Sequence, residues 1–344
     1  MQLCLSDEQQ QFATSLHEML TAADTPAASR AWGQGEHQPG GKVLRELADI
    51  GVTGLLVPAE HDGIDAAYAD MVVAMEVVGY HAVPGPIVES AAAVPVLLRS
   101  LPDTRPAQEW LPALAAGEVS ASIALPPRVP FALDADFTEL TLCGHDDAVT
   151  TLDTTGIEPT RSIDPARRLV SPPSATATTL SSGVSGQATA AAFDVGALAT
   201  AAQLHGAGRW LLDTATEYAK QREQYGKPIG QNQSIKHLLA DVAMRLEMSR
   251  PLLYAAAVAL RDTPATSARD VSAAKVAAGN AAYLAARTAL QVHGAIAYTA
   301  EHDLGLWLTK VRALLGVFGD AGFHRARVRE AVAGSSREES AGAS

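Results

Sequence analysis

The sequence predicts a mainly α-helical protein that carries a small β domain in its middle. Near the N-terminus, apolar residues recur at helical spacing at Val43, Leu44, Leu47 and Ile50. In the second half, the same spacing marks one helix face at Ile235, Leu238, Leu239, Val242 and Leu246. Between these regions Thr, Val, Asp and Gly dominate, and short apolar runs alternate with prolines. Such a stretch favours short strands and turns.

Four segments follow from these patterns. Residues 1–118 form an N-terminal helical domain that opens with Ser6-Asp-Glu-Gln9, which has the spacing of a helix capping box. Residues 119–188 form a reduced middle β domain, and residues 189–334 contain four long helical patterns, which predict a four-helix bundle. Residues 335–344 are small, polar or charged, so we expect a disordered tail.

Composition excludes several classes of function. The chain has 344 residues and a net charge of −12, which disfavours nucleic acid because phosphate binding needs a clustered basic face. Its two cysteines form no CxxC or His/Cys arrangement, so we predict no metal site and a reduced compartment. The N-terminus lacks the pattern of a secretory signal, and no apolar run is long enough for a membrane span. We therefore expect a cytoplasmic protein.

A polar corner is predicted where one long helix ends and the next begins. Arg222 stands near the end of a predicted helix, Gly226 follows within a turn, and Gln233 opens the next helix. A guanidinium matches a pyrophosphate in bidentate fashion, Tyr225 could cover a planar ring, and the amide of Gln233 could bind a ribose or a base edge. Taken singly, Arg222 could also be a surface cation that stabilises a helix C-terminus.

A second candidate lies about sixty residues further on, in Gln291-Val-His-Gly294. It closes another predicted helix, and a small residue there lets the backbone approach a ligand closely. The alternative interpretation is an ordinary helix C-cap with a following turn.

Together these motifs resemble the acyl-CoA dehydrogenase family. The resemblance rests on Arg222-x-x-Tyr225-Gly226-x-x-Ile229, Gln233, Gln291-x-x-Gly294, Tyr298-Thr299, Glu301 and the N-terminal stretch at residues 47–58, and it spans nearly the whole chain. It implies a fold with an N-terminal helical domain, a middle β-barrel and a C-terminal four-helix bundle. It also implies that Arg222, Tyr225, Gln233, Gln291 and Gly294 contact the adenine and pyrophosphate end of FAD bound mainly by a neighbouring subunit.

The catalytic base of that family is missing. Family members place a glutamate before a Gly-Thr pair, where it removes the α-proton of the acyl thioester, whereas this chain has Phe318-Gly319-Asp320. The alternative family position for the base falls on Gly196. Neither residue can accept a proton. Asp320 and Asp194 lie two residues from these positions, and Asp320 is the candidate for a displaced carboxylate; otherwise each is a solvated or capping aspartate.

The middle domain departs from the family as well. Family members carry Thr-Glu-Pro and Gly-Ser-Asp segments that contact the isoalloxazine. At the corresponding place this chain has the sequence Ala124-Leu-Pro-Pro-Arg128-Val-Pro. The stretch Ile163-Asp-Pro-Ala-Arg167-Arg-Leu169 still resembles the closing strand of the family's β domain. The resemblance therefore implies that the chain holds a flavin poorly by itself.

The resemblance is to the non-catalytic subunit of heteromeric acyl-CoA dehydrogenases of bacterial steroid side-chain degradation. It implies an α2β2 heterotetramer with a homologous catalytic subunit, which supplies the glutamate and binds the isoalloxazine and the acyl-CoA, with a separate electron-transfer acceptor. Two alternatives stay open. One is a homo-oligomeric dehydrogenase that uses Asp320. The other is a flavin-free scaffold or regulator that keeps only the fold.

Overall fold

The structure is a computed structural model that describes residues 5–145, 147–172, 177–183, 186–299 and 302–341. Its N-terminal region is helical. Its helices are α1 Asp7–Ala22, α2 Thr25–Gly33, α3 Gln38–Asp49, α4 Tyr68–Tyr80, α5 Val94–Arg99 and α6 Arg105–Ala115. The predicted capping box is confirmed: Ser6 Oγ accepts a hydrogen bond from the Gln9 amide at 3.2 Å, and Gln9 Oε1 accepts one from the Ser6 amide at 3.1 Å.

The middle region forms two small sheets. Its strands are β1 Ala121–Ala124, β2 Ala132–Leu133, β3 Leu140–Gly144, β4 Ala148–Leu152, β5 Thr160–Arg161, β6 Arg168–Val170 and β7 Ala177–Ser182. One sheet has the order β1-β3-β4-β7, with β1 parallel to β3, and the other has the order β2-β6-β5. The predicted mainly α fold with a small β region is therefore confirmed.

The C-terminal region is a bundle of long helices. Its elements are α7 Gly186–Gln221, β8 Glu223–Gln224, β9 Lys227–Pro228, α8 Gln233–Asp262, α9 Pro264–His293, α10 Leu304–Leu314 and α11 Ala321–Ala341. Helix α11 is assigned through Ala341, so the range 335–344, for which the sequence predicts a disordered tail, begins inside it, and residues 342–344 lie outside the described residues. Among the helices that the structure describes, none is both long enough and apolar enough to cross a membrane.

Helix α7 contacts the N-terminal helices without intervening side chains. A Cβ added at Gly79 of α4 would lie 2.5 Å from Cα of Gln203 in α7, so the two backbones touch at this crossing. The valines and methionines of α4 are buried on all sides, including Val72, Val73, Met71 and Met75. Helix α4 is therefore the centre of a core shared by the N-terminal region and the bundle.

Helix α10 joins the three regions. The ammonium of Lys310 donates to the Val83 carbonyl at 3.1 Å and lies 3.6 Å from Asp164 Oδ2 in the middle region. Burial lowers the pKa of Lys310, while the Asp164 carboxylate opposes that shift. Three residues before Lys310, the Trp307 ring stacks on Trp210 of α7 with centroids 3.5 Å apart. These contacts fix α10 and the loops around it against both neighbours.

Candidate functional site

The predicted corner residues meet at one end of the bundle. Helix α7 ends at Gln221, α8 begins at Gln233 and α9 ends at His293, as the sequence predicts. The Tyr218 ring near the end of α7 stacks on the His293 ring with centroids 4.3 Å apart and planes inclined by 25°. This stack connects the segment that carries Arg222 to the segment that carries Gln291.

A short β-hairpin with a two-residue turn follows Arg222. Strands β8 and β9 pair Glu223 with Pro228 and Gln224 with Lys227, and the connecting Tyr225 and Gly226 have φ values of 53° and 74°. Two consecutive positive φ values are typical of a type I′ turn, in which a tyrosine is unusual. The Tyr225 side chain is 99% exposed. The turn thus holds a bare aromatic ring away from the bundle.

The N-terminus of α8 is open. Asn232 precedes the helix but its side chain makes no capping hydrogen bond, and no acidic residue lies in the first turn. Gln233 at the first helical position is exposed, and so are Arg222, Lys227 and Lys236 nearby in sequence. Uncapped N–H groups and a cationic surround favour an anion such as a pyrophosphate.

The end of α9 supplies the rest of the corner. Gln291 and Gly294 are exposed, whereas the His293 ring between them is buried. His293 Nδ1 donates to the Ala289 carbonyl at 2.8 Å, and among the described residues its Nε2 has no hydrogen-bond partner. Burial lowers the pKa of His293, so the ring is neutral and Nε2 is an acceptor. Glu301, which the family resemblance also includes, lies outside the described residues.

Gly294 has a backbone conformation that other residues do not readily adopt. Its φ of 65° and ψ of −137° lie outside the left-handed helical region, although a Cβ there would meet nothing within 4 Å. We predict that Gly294→Ala destabilises the protein by about 1–3 kcal/mol. Gly305→Ala is the matched control, because Gly305 lies in α10 with open space around its Cα, and it should be neutral or slightly stabilising. Urea unfolding measures both; equal costs would contradict the backbone argument.

Phe318 fills the position where the family carries its base. Its side chain is fully buried, with a φ of 51°, and its ring contacts the Phe193 ring edge-on at 6.1 Å between centroids. His324 Nε2 lies 2.9 Å from the Phe318 carbonyl, and its Nδ1 lies 3.0 Å from Ser272 Oγ. Burial lowers the pKa of His324 to about 4, so the neutral ring holds this strained carbonyl in place.

The two family positions for the base occupy the same space. A Cβ added at Gly196 of α7 would lie 2.5 Å from Cζ of Phe318, well inside contact distance. The ring of Phe318 therefore occupies the volume that a side chain at Gly196 would need. No proton acceptor exists on either side chain.

The nearby aspartates have structural partners. Asp320 is exposed and its Oδ1 accepts a hydrogen bond from the Phe323 amide at 2.8 Å, which makes it the N-cap of α11. Asp194 is buried and binds Arg327 through both carboxylate oxygens; Nη2 donates to Oδ2 at 3.0 Å. Burial raises the pKa of Asp194 although Arg327 opposes it.

The segment that the resemblance places at the isoalloxazine contains a tight turn. Leu125 and Val129 pair directly across it, and Arg128 at its tip lies over the Phe323 ring, with Cζ 3.8 Å from the ring centroid. Through Arg128, the turn therefore packs against an aromatic cluster formed by Phe193, Phe318 and Phe323. Aromatic rings thus lie beneath this turn, which lacks the Thr-Glu-Pro and Gly-Ser-Asp segments that the resemblance implies for an isoalloxazine site.

The corner and the Phe318 cluster are far apart. Gly196 and Arg222 are 26 residues apart in and just beyond the single helix α7, which corresponds to about 39 Å at 1.5 Å per residue. One extended dinucleotide is too short to reach from Arg222 to Phe318 of the same chain. The exposed guanidinium, amides and helix N–H groups of the corner are of the kinds that bind a pyrophosphate and an adenine.

Sequence reasoning missed the residues that hold these sites together. Tyr218, which stacks on His293, precedes Arg222 by one helical turn, and that spacing could have revealed it. Ser272 and His324, which fix Phe318, come from α9 and α11 and carry no local signal.

The comparisons with known proteins agree with this architecture. Residues 6–118 match the model of the acyl-CoA dehydrogenase N-terminal domain, and residues 185–333 match that of the acyl-CoA dehydrogenase C-terminal domain. The chain belongs to the acyl-CoA dehydrogenase family.

Curated relatives include two mycobacterial proteins named acyl-CoA dehydrogenase IpdE2. The protein from Mycolicibacterium smegmatis is 29% identical over 317 residues, which cover 92% of this chain and 96% of the relative. That from Mycobacterium tuberculosis is 28% identical and covers 88% of this chain and 91% of the relative.

Solved structures with the same fold include two named assemblies. A variant of the steroid acyl-CoA dehydrogenase Tcur3481-Tcur3483 superposes with a TM-score of 0.83 at 18% identity, over 96% of this chain and 99% of that chain. The ChsE4-ChsE5 complex from Mycobacterium tuberculosis gives a TM-score of 0.82 at 18% identity, over 97% and 99%. At this identity the likeness establishes the fold.

Proposed function

We propose that the chain is the non-catalytic subunit of a heteromeric FAD-dependent acyl-CoA dehydrogenase, and that its corner residues complete the cofactor site of a homologous catalytic subunit. The observation that carries the proposal is the pair formed by Phe318 and Gly196. These residues close both positions for a base, while an exposed, donor-rich corner lies about 39 Å away along α7. A chain that performed the chemistry itself would need a proton acceptor at one of these two positions.

In this proposal the corner binds and orients one end of the cofactor. Arg222 pairs with the phosphates together with the N–H groups of the first turn of α8, and Tyr225 covers a ring. Gln233 and Gln291 supply amide groups to ribose and adenine, and Gly294 lets the backbone come close. The FAD held in this way would supply the hydride acceptor for the β-carbon of the acyl thioester. The partner's glutamate takes the α-proton.

The partner and the substrate are inferred from the assemblies with the same fold. Both are named as pairs of chains, and one is named a steroid acyl-CoA dehydrogenase. We place this chain in an α2β2 heterotetramer with a homologue that keeps the glutamate and an intact flavin bed. A steroid-derived acyl-CoA is the substrate class, and a separate electron-transfer protein reoxidises the cofactor.

Separate and joint expression tests the proposal. The probe is an acyl-CoA dehydrogenase homologue from the same genome that retains the glutamate. Purified alone, this chain should show no flavin absorbance; purified with that homologue, it should give a yellow complex that acyl-CoA bleaches. A yellow, bleachable protein obtained from this chain alone would support a homo-oligomeric enzyme instead. A complex without FAD, or activity that does not need this chain, would favour a scaffold.

A further inference from the structure

A polar cavity of about 220 Å³ lies between α1, α4, α7 and α8. It forms beside the crossing of α4 and α7, where the two helices touch through their backbones, since a Cβ added at Gly206 would collide with the Glu76 carbonyl oxygen. This close approach places the Glu76 and His205 side chains next to each other at the cavity. The cavity is separate from the cofactor corner, because Arg209 in its wall precedes Arg222 by 13 residues, or about 20 Å along α7.

The His205 ring brings an unprotonated nitrogen to the cavity. Its Nδ1 lies 3.1 Å from Ser249 Oγ, and that hydroxyl donates its hydrogen to the Leu246 carbonyl at 2.8 Å. Ser249 Oγ therefore accepts from Nδ1, so Nε2 keeps a free lone pair. Burial and the guanidiniums of Arg250 and Arg209 lower the pKa of His205 to about 3, so the ring is neutral.

Glu76 supplies a second acceptor that lacks a donor. Its Oε2 accepts from the Tyr254 hydroxyl at 2.9 Å, whereas Oε1 has no hydrogen-bond partner among the described residues. Oε1 lies 3.6 Å from His205 Nε2 and 3.7 Å from Arg250 Nε. Burial raises the pKa of Glu76, while Arg250 and the Tyr254 hydroxyl lower it and so favour the carboxylate. Two acceptors therefore face each other, and burial of such a pair is costly unless a donor group joins them.

Guanidinium groups add donors to the same cavity. The side chains of Arg209 and Arg250 line it and are 39% and 38% exposed. Arg209 donates to Glu247 Oε1 at 3.0 Å, and Arg250 lies beside Glu76, so each guanidinium has one carboxylate neighbour and further N–H groups. The rest of the wall includes aliphatic side chains of α1 and α4. The cavity thus offers N–H donors without an uncompensated positive charge.

We infer that this cavity binds a primary carboxamide attached to a small apolar body. The two hydrogens of the amide NH2 group bond to His205 Nε2 and Glu76 Oε1, and the amide oxygen accepts from a guanidinium. A carboxylate ligand would bring no donor for the two acceptors and would add a charge beside Glu76. An ammonium would be repelled by the two guanidiniums. The inference is independent of the proposed function.

Three related ligands test the inference on the purified full chain. Benzamide has the carbonyl and both N–H groups, N,N-dimethylbenzamide lacks the N–H groups, and benzoate replaces them with a charge. Benzamide should bind with a Kd on the order of 1 mM, as expected for a ligand of this size. N,N-dimethylbenzamide should bind about tenfold more weakly or worse, because the two acceptors stay unpaired. Ligand-observed NMR titration measures all three.

Two substitutions locate the binding in the cavity. Ala13→Leu on half-buried α1 should fill the cavity and abolish benzamide binding without loss of fold, because leucine is a good helix former. Thr14→Leu is its control, since Thr14 is exposed and lies outside the cavity wall. His205→Phe removes the ring acceptor and should weaken benzamide binding about tenfold. Circular dichroism checks that each variant is folded.

The outcomes decide between an amide site and its alternatives. Benzoate that binds more tightly than benzamide would show an anion site and overturn the inference. Benzamide that shows no saturable binding, or that binds equally well to the Ala13→Leu variant, would overturn it too. None of these measurements depends on FAD or on a partner subunit, so a failure here leaves the proposed function standing.

Discussion

Replacing Phe318 with glutamate is expected to destabilise the protein and to create no dehydrogenase. The ring is fully buried against Phe193 and Gly196, so the substitution loses packing and puts a carboxyl group into an apolar space. The loss of packing alone costs about 3–5 kcal/mol, and an unpaired polar group adds to it. Urea unfolding of the purified complex measures the cost. Dye reduction by the isolated variant should stay at background.

Phe318→Leu is the matched control, with an expected cost below about 1.5 kcal/mol. Gly196→Ala should cost about 1–3 kcal/mol because its methyl group overlaps with the Phe318 ring. In combination with Phe318→Ala, the penalty from Gly196→Ala should largely disappear. Additive costs would show that the two positions do not share one volume. Acyl-CoA turnover by the isolated Phe318→Glu chain would show that the remaining machinery is intact, contrary to the proposal.

Replacing Arg222 with alanine is expected to release FAD from the mixed complex. A hydrogen bond to a charged group contributes about 1.5–3 kcal/mol, so the Kd for FAD should rise roughly tenfold to a hundredfold or more. Arg222→Lys should recover only part of the loss, because an ammonium lacks the planar fork. Fluorescence titration of FAD into the deflavinated complex measures both.

Arg261→Ala supplies the comparison for Arg222→Ala. Arg261 is an exposed arginine near the end of α8 that pairs with the adjacent Asp262, so its loss should leave the FAD affinity unchanged. If Arg222→Ala leaves FAD content and turnover at the level of this control, the corner does not bind the cofactor.

The corner could be predicted from the sequence because its signals are local. Helix ends, glycines and turn residues follow one another around Arg222 and around Gly294, and each marks its own position. The same holds for the capping box at Ser6. The meeting of the two segments could not be predicted from spacing alone, since it depends on the stack of Tyr218 on His293, which are 75 residues apart.

The absence of a base at Phe318 and Gly196 could be predicted from the sequence, but the packing between these two residues could not. The sequence shows that Phe318 and Gly196 lack proton acceptors. The Phe318 ring occupies the space next to Gly196 because α7 packs against the turn before α11. The periodicity of apolar residues along the sequence does not predict this tertiary contact.

The contacts of Lys310 make the helical regions depend on the middle sheets. Its ammonium bonds to the N-terminal region through Val83 and lies beside Asp164 of the middle sheets. A shortened chain without the segment that contains Asp164 would leave the buried Lys310 ammonium unpaired, which costs several kcal/mol. Removal of the middle sheets alone should therefore lower the stability of the remaining helices, which keep Lys310 without the Asp164 carboxylate.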